Sequence, residues 1–205
     1  VGFDDIVSAR DTYDWSAFEG FLDRIAGRGH QALVRFYYVY PGRPTTVPQY
    51  VKDDEGYDET SGQTEGMRTF FPDWSFPELQ RMHEAFFTEF ASRYDDDARV
   101  AFLQVGFGLW GEYHIYDGPN RLGDTFPDLA YQRSFARHMA DTFGTLHWSI
   151  SIDAGVDSQA ERGLAGRGGV AKQGVAHPVR QHAEHDSGIR RDVGAGDVPG
   201  WNTRR

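Results

Sequence analysis

The sequence predicts an α/β protein built on parallel strands. Two short runs, QALVRFYYVY at 31–40 and RVAFLQVGFG at 99–108, are almost continuously apolar, β-branched or aromatic and bounded by glycine or proline. That is the composition of strands buried on both faces. Three longer stretches carry apolar residues at helical spacing behind a polar start signal. The order helix, strand, long loop, helix, strand, loop, helix is what a parallel α/β sheet or barrel produces.

The first helix is expected in DWSAFEGFLDRIAGRG, 14–29. Asp14 or Ser16 supplies a cap, Glu19 completes an S-x-x-E box with Ser16, and Phe18, Leu22 and Ile25 share one face; Gly27 or Gly29 ends it. After the first strand, Pro41-Gly42 opens a stretch to residue 74 with no strong periodicity, and a connector that long is often functional. A second helix starts at Ser75, with Glu78 completing a capping box and Pro77 in the first turn. Leu79, Met82, Phe86 and Phe90 line its buried side. The third, TFPDLAYQRSFARHMADTF, has Thr125 and Asp128 at its cap, and TLHWSISI begins a further strand.

The pattern then breaks. Residues 1–148 hold 29 of the 30 aromatic side chains, and the remainder holds only Trp201 and a single Leu against ten glycines. The expected organisation is a folded part, 1–150, and a tail, 151–205. The tail has two readings: a flexible segment of low hydrophobicity, or out-of-frame translation of a GC-rich gene.

Composition removes several function classes. The net charge of -10 and the lack of a Lys/Arg stripe in the folded part argue against a nucleic-acid partner. No apolar run approaches the roughly 18 residues of a membrane span. Cys is absent, so neither a disulfide framework nor thiol chemistry is expected. The chain begins with Val, and any signal peptide lies outside it, so a secreted or periplasmic location stays open, as does the oligomeric state. The tail's HAEH, 182–185, lacks the H-E-x-x-H spacing, and its AGRGGV does not complete a dinucleotide fingerprint. Neither a metal nor a cofactor is expected.

The candidate chemistry sits in QVGFGLWGEYH, 104–114. Glu112 follows the carboxyl end of a predicted parallel strand, where α/β barrels place catalytic groups. Trp110 and Tyr113 offer flat apolar surfaces to a sugar ring, and a carboxyl group held against aromatics suits a general acid. The plainer reading is that Glu112 caps a loop amide or pairs with an arginine. Arg35, inside an apolar strand, needs a carboxylate or a ligand as partner. Tyr37 alternates with it and shares its side of the strand; it lines a mouth or packs in the core. His114 orients Glu112 or binds hydroxyls. Trp74 and Tyr50, on the long loop, either stack on sugars or anchor the loop.

The runs YDWSAFEGFLDRIAGRGHQALVRFYYVYPG, VPQYV and ASRYDDDARVAFLQVGFGLWGEYH resemble the glycoside-hydrolase-like barrels of the domain-of-unknown-function 4832 type, or its relative 4874. More distantly they are similar to the family 42 β-galactosidases of the large retaining glycosidase clan. The resemblance spans about residues 1–148, most specifically in the W-G-E-aromatic-H ending. It implies a partial (β/α)8 TIM barrel, its middle strands and helices only, acting on glycosidic bonds of a carbohydrate substrate. Glu112 is then the acid/base after the fourth barrel strand, and the nucleophile is a second carboxylate after the seventh. Where the clan carries Asn before the acid/base, this chain has Gly111. A non-catalytic carbohydrate-binding barrel and a truncated chain without function are the rival expectations.

Overall fold

The structure, a computed structural model, describes residues 1–151. Within them the chain runs β1 (Val7–Ala9), β2 (Thr12–Tyr13), α1 (Ser16–Ala26), β3 (Ala32–Arg35), α2 (Gln49–Lys52), β4 (Thr60–Thr64), β5 (Met67–Phe71), α3 (Pro77–Tyr94), β6 (Val100–Val105), α4 (Leu129–Thr142) and β7 (Trp148–Ile150). The tail, 152–205, and the readings placed on it lie outside the described residues.

The centre is a three-stranded parallel sheet in the order β3-β6-β7. Each expected strand contributes to it, but QALVRFYYVY pairs regularly only as far as Arg35. Beyond that the backbone is held by single bridges, Tyr37 with Gly2 and Val39 with Leu109. Val34 and Phe36 point to one side, where α1 and α3 cover them: Phe36 packs on Phe18, Phe86, Phe87 and Phe90. Phe87 of α3 meets Phe135 of α4 on the same side. All three long helices thus share one face. Leu33 on the opposite face is 60% exposed, and the register sets Leu33 beside Phe102 and Arg35 beside Gln104. Among the described residues no closed barrel is formed; what is present is a mixed α/β layer with helices on one face of a parallel sheet.

The helices match the expected spans, but two of the three expected caps do not form. At α1 the cap position is Trp15, and the Asp14 carboxylate accepts from the Ser16 amide instead. At α3 the cap position is Phe76, Ser75 turns to Asp73, and Glu78 is taken by Arg81 and Tyr50. A capping box needs its glutamate free to reach back, and both glutamates have other partners, Glu19 accepting from Tyr94. Only at α4 does Asp128 cap, accepting from the Tyr131 amide at 2.7 Å.

The stretch 41–74 is not a bare loop. It holds the short α2 and an antiparallel hairpin, β4–β5, closed at Glu65-Gly66 with both residues at positive φ. Two central residues of that conformation make the tight turn whose twist fits a hairpin. A second hairpin, β1–β2, precedes α1.

Candidate functional site

The site begins with a turn that only glycine permits. After β6 the chain folds back on itself over 106–114: the Gly108 amide donates to the Glu112 carbonyl at 2.7 Å and the Leu109 amide to the His114 carbonyl at 3.0 Å. A Cβ on Gly108 would overlap the His114 carbonyl oxygen, and one on Gly111 would overlap the Phe36 carbonyl oxygen. Gly111 also has φ 73°, and Trp110 before it has φ 56°, a left-handed conformation that costs a bulky residue about 1–3 kcal/mol. Trp110 is pinned there by its amide, which donates to Val39 O at 2.9 Å.

This turn delivers Glu112 to the carboxyl end of the sheet, where Arg35 meets it. Arg35 Nη1 donates to Glu112 Oε1 at 2.7 Å. Arg35 Nε and Nη2 both donate to Gln104 Oε1, at 3.2 and 2.5 Å, and Nη2 also donates to Ser151 Oγ at 3.0 Å. The guanidinium therefore spans all three strands, from its own β3 across β6 to the residue after β7. The other oxygen of Glu112, Oε2, lies 3.6 Å from His114 Nδ1. His114 is only 5% exposed, and its Nδ1 has no hydrogen-bond partner. The nearest neighbour of the carboxylate is thus a guanidinium rather than an aromatic ring, which matches the arginine pairing weighed from the sequence.

The aromatic candidates divide. Tyr113 turns inward: its hydroxyl donates to Gln132 Oε1 at 2.9 Å, its ring packs on Phe107 and Phe126, and burial pushes its phenol pKa upward. Trp74 is 0% exposed, among Tyr38, His83 and Phe107. Neither ring presents a face to a ligand: the burial of Trp74 fits the anchoring alternative, and the sugar surface expected of Tyr113 is corrected to core packing. The reason is local: the loop after β6 alternates its side chains, so Glu112 and His114 face the polar cluster while Tyr113 faces α4. Tyr50 bonds Glu78 of α3 and anchors α2. Tyr37 and Trp110 stay half-buried, and Tyr37 contacts Tyr40, which stands at a right angle to Trp110.

Four participants escaped the sequence reading. Gln104 carried the same signal as Arg35, a polar side chain inside an apolar strand, and the register pairs the two. Ser151 sits one residue past β7, at the layer where strand-end groups gather. Tyr40 and Tyr116 lie one strand end or one turn beyond residues already singled out, and are 38% and 53% exposed. Among the described residues no group of three or more His, Asp or Glu side chains gathers in a way that could hold a metal, and no helix is long and apolar enough to cross a membrane.

Comparison of the chain with models of protein families, with curated proteins and with solved structures finds no match.

Proposed function

We propose that the Glu112 cluster is the acid/base half of a carbohydrate site in a glycoside-hydrolase-like protein whose sheet is part of a (β/α)8 barrel. The observation that carries the reading is the seat of the carboxylate. Glu112 stands at the carboxyl end of a parallel sheet with one oxygen held by Arg35 and the other turned to a buried, unpartnered imidazole nitrogen. Functional groups of barrel enzymes collect at that end of the sheet. The consecutive strand order and the placement of the long helices among the described residues on one face support the barrel architecture, since a doubly wound sheet puts helices on both.

In such a site Glu112 gives a proton from Oε2 to the glycosidic oxygen as the bond to the anomeric carbon breaks. A second carboxylate, about 5–5.5 Å away in retaining enzymes, forms the glycosyl ester. Glu112 then takes a proton from the water that hydrolyses it. Arg35 fixes the carboxylate through Oε1 and leaves Oε2 for the reaction. Among the described residues no second Asp or Glu shares the Arg35–Gln104–His114 cluster, and this favours a second reading, a site that binds sugars without cleaving them.

Turnover of aryl and unactivated glycosides by the 205-residue chain and by Glu112→Gln separates the readings. General-acid chemistry predicts at least about a hundredfold loss on unactivated glycosides. Sugar binding with no turnover selects the second reading, and turnover indifferent to Glu112→Gln removes Glu112 from the mechanism.

A further inference from the structure

We propose that the site takes an oligosaccharide rather than a single sugar, laid along an aromatic run formed by the exposed Tyr40 and Tyr116 and the half-buried Trp110. This rests on the carbohydrate reading of the Glu112 cluster and specifies its substrate class as a neutral sugar chain of several units.

The three rings are neighbours beside the Glu112 cluster. Trp110 and Tyr116 lie 5.8 Å apart and within 21° of parallel. Tyr40 stands at 88° to Trp110 at 6.5 Å, which makes a corner at one end. Tyr116 also lies 5.5 Å from His114, whose unpartnered Nδ1 faces Glu112 Oε2. The run therefore adjoins the polar cluster at the imidazole ring of His114.

Tyr116 is held for this position. Its hydroxyl donates to Glu65 at the tip of the β4–β5 hairpin, and the hairpin is tied to the same loop by Glu65 N donating to Asp117 Oδ2 at 2.6 Å and Thr64 Oγ1 donating to Asp117 O at 2.9 Å. An exposed ring fixed by a second element is a platform, whereas a loose surface tyrosine loses side-chain freedom when a ligand orders it. Trp110 occupies a backbone conformation that glycine or asparagine would adopt more easily. The chain thus places a large ring where a small residue would relieve strain.

Chemistry selects the occupant. A pyranose presents a flat C–H face to an aromatic ring and its hydroxyls to the ring's polar edges, and the faces here are bordered by phenol and indole donors. Glu65 and Asp117 at the Tyr116 end disfavour an anionic polymer. At the other end Arg43 already lies over the Tyr40 ring at 4.8 Å. A neutral sugar chain meets neither obstacle.

The test is titration of the full chain with cello-, laminari-, malto- and xylo-oligosaccharides from monosaccharide to hexasaccharide, read by tryptophan fluorescence and calorimetry. In at least one series the affinity is expected to rise at least about tenfold from mono- to tetrasaccharide, the equivalent of one added stacking contact. Tyr116→Ala and Tyr40→Ala are expected to return the tetrasaccharide to the monosaccharide level with the cooperative melt retained, and Tyr116→Phe, which keeps the ring but frees it from Glu65, to keep a smaller length dependence. Flat length dependence in every series, or tyrosine variants that bind the tetrasaccharide as the parent does, overturns the inference. Length-dependent binding with no Glu112-dependent turnover keeps the platform and sinks only hydrolysis. Glu112-dependent cleavage of aryl monosaccharides with flat length dependence does the reverse.

Discussion

Arg35 and Glu112, 77 positions apart in sequence, meet at 2.7 Å with side chains 30% and 12% exposed. Bringing them together takes the parallel pairing of β3 with β6 and the fold-back of the loop that follows. The pair is only partly open to water, so each charge depends on the other for much of its solvation. Arg35→Met strands the Glu112 carboxylate, together with the Gln104 and Ser151 oxygens that the same guanidinium satisfies. A loss of about 1–3 kcal/mol is expected, the range for a buried polar group left unsatisfied. Adding Glu112→Gln to Arg35→Met should restore part of that loss. Urea unfolding of the two single variants and the double closes the cycle, and strictly additive values would mean the two side chains do not support one another. Arg35→Lys should resemble Arg35→Met more than the parent, because a single ammonium cannot serve Gln104, Ser151 and Glu112 in one plane.

Gly108→Ala tests the fold-back itself. Its Cβ would occupy the position of the His114 carbonyl oxygen, and backbone cannot step aside as a flexible side chain does. The loop must open, breaking the Gly108–Glu112 and Leu109–His114 backbone bonds and moving the carboxylate away from Arg35. The expected cost is about 1–3 kcal/mol, as for other overpacked sites, with altered chemical shifts for the His114 ring. Unchanged His114 resonances and an unchanged unfolding midpoint would show that this turn is not the one formed in solution.

Much of this architecture is legible in the sequence because its signals are local. The apolar continuity around Val34 and Leu103 marks β3 and β6, and helical spacing of Phe86 and Phe90 marks α3. The β4–β5 hairpin is not legible, because TSGQT carries almost no apolar residue to alternate and its partner strand is recognised only once paired. Its stability comes from elsewhere: Phe71 is buried in the core, and Asp117 of a distant loop binds its tip. Glu19 and Glu78 look like capping glutamates in sequence, yet tertiary partners 75 and 28 residues away claim them. The site is half legible for the same reason. Glu112 and Arg35 announce themselves as charges in apolar surroundings, whereas Trp74 and Tyr113 are indistinguishable from surface aromatics until the core closes over them.

Trp110 offers a test in which stability and binding move apart. At φ 56° a residue with a Cβ pays a penalty that glycine does not. Trp110→Gly is therefore expected to be more stable than Trp110→Ala by about 1 kcal/mol, the reverse of their order in a helix. Both variants remove the ring and should lose oligosaccharide binding equally. Thermal melts of the pair decide the matter: an alanine variant as stable as the glycine one would place Trp110 outside the left-handed region in solution.

His83 sets the response to acid. Its ring is fully enclosed among Trp74, Phe87, Phe107 and Phe135, with Nδ1 hydrogen-bonded to the Tyr38 hydroxyl at 2.8 Å and Nε2 unpartnered. Burial, reinforced by His138, holds its pKa well below the usual 6.5. The folded state therefore keeps the imidazole neutral, while the unfolded chain takes up a proton as the pH drops through 6.5. Over that window the unfolded state binds more protons, so the His83 contribution to stability is complete above 6.5 and is lost progressively below it. The unfolding midpoint in urea should fall between pH 7 and pH 5. It should fall less steeply in His83→Leu, which cannot take up that proton and whose lower stability from the lost Tyr38 bond is the same at both pH values. Parallel pH dependences for parent and variant would place the acid sensitivity in the carboxylates instead and show that His83 is not held neutral by the core.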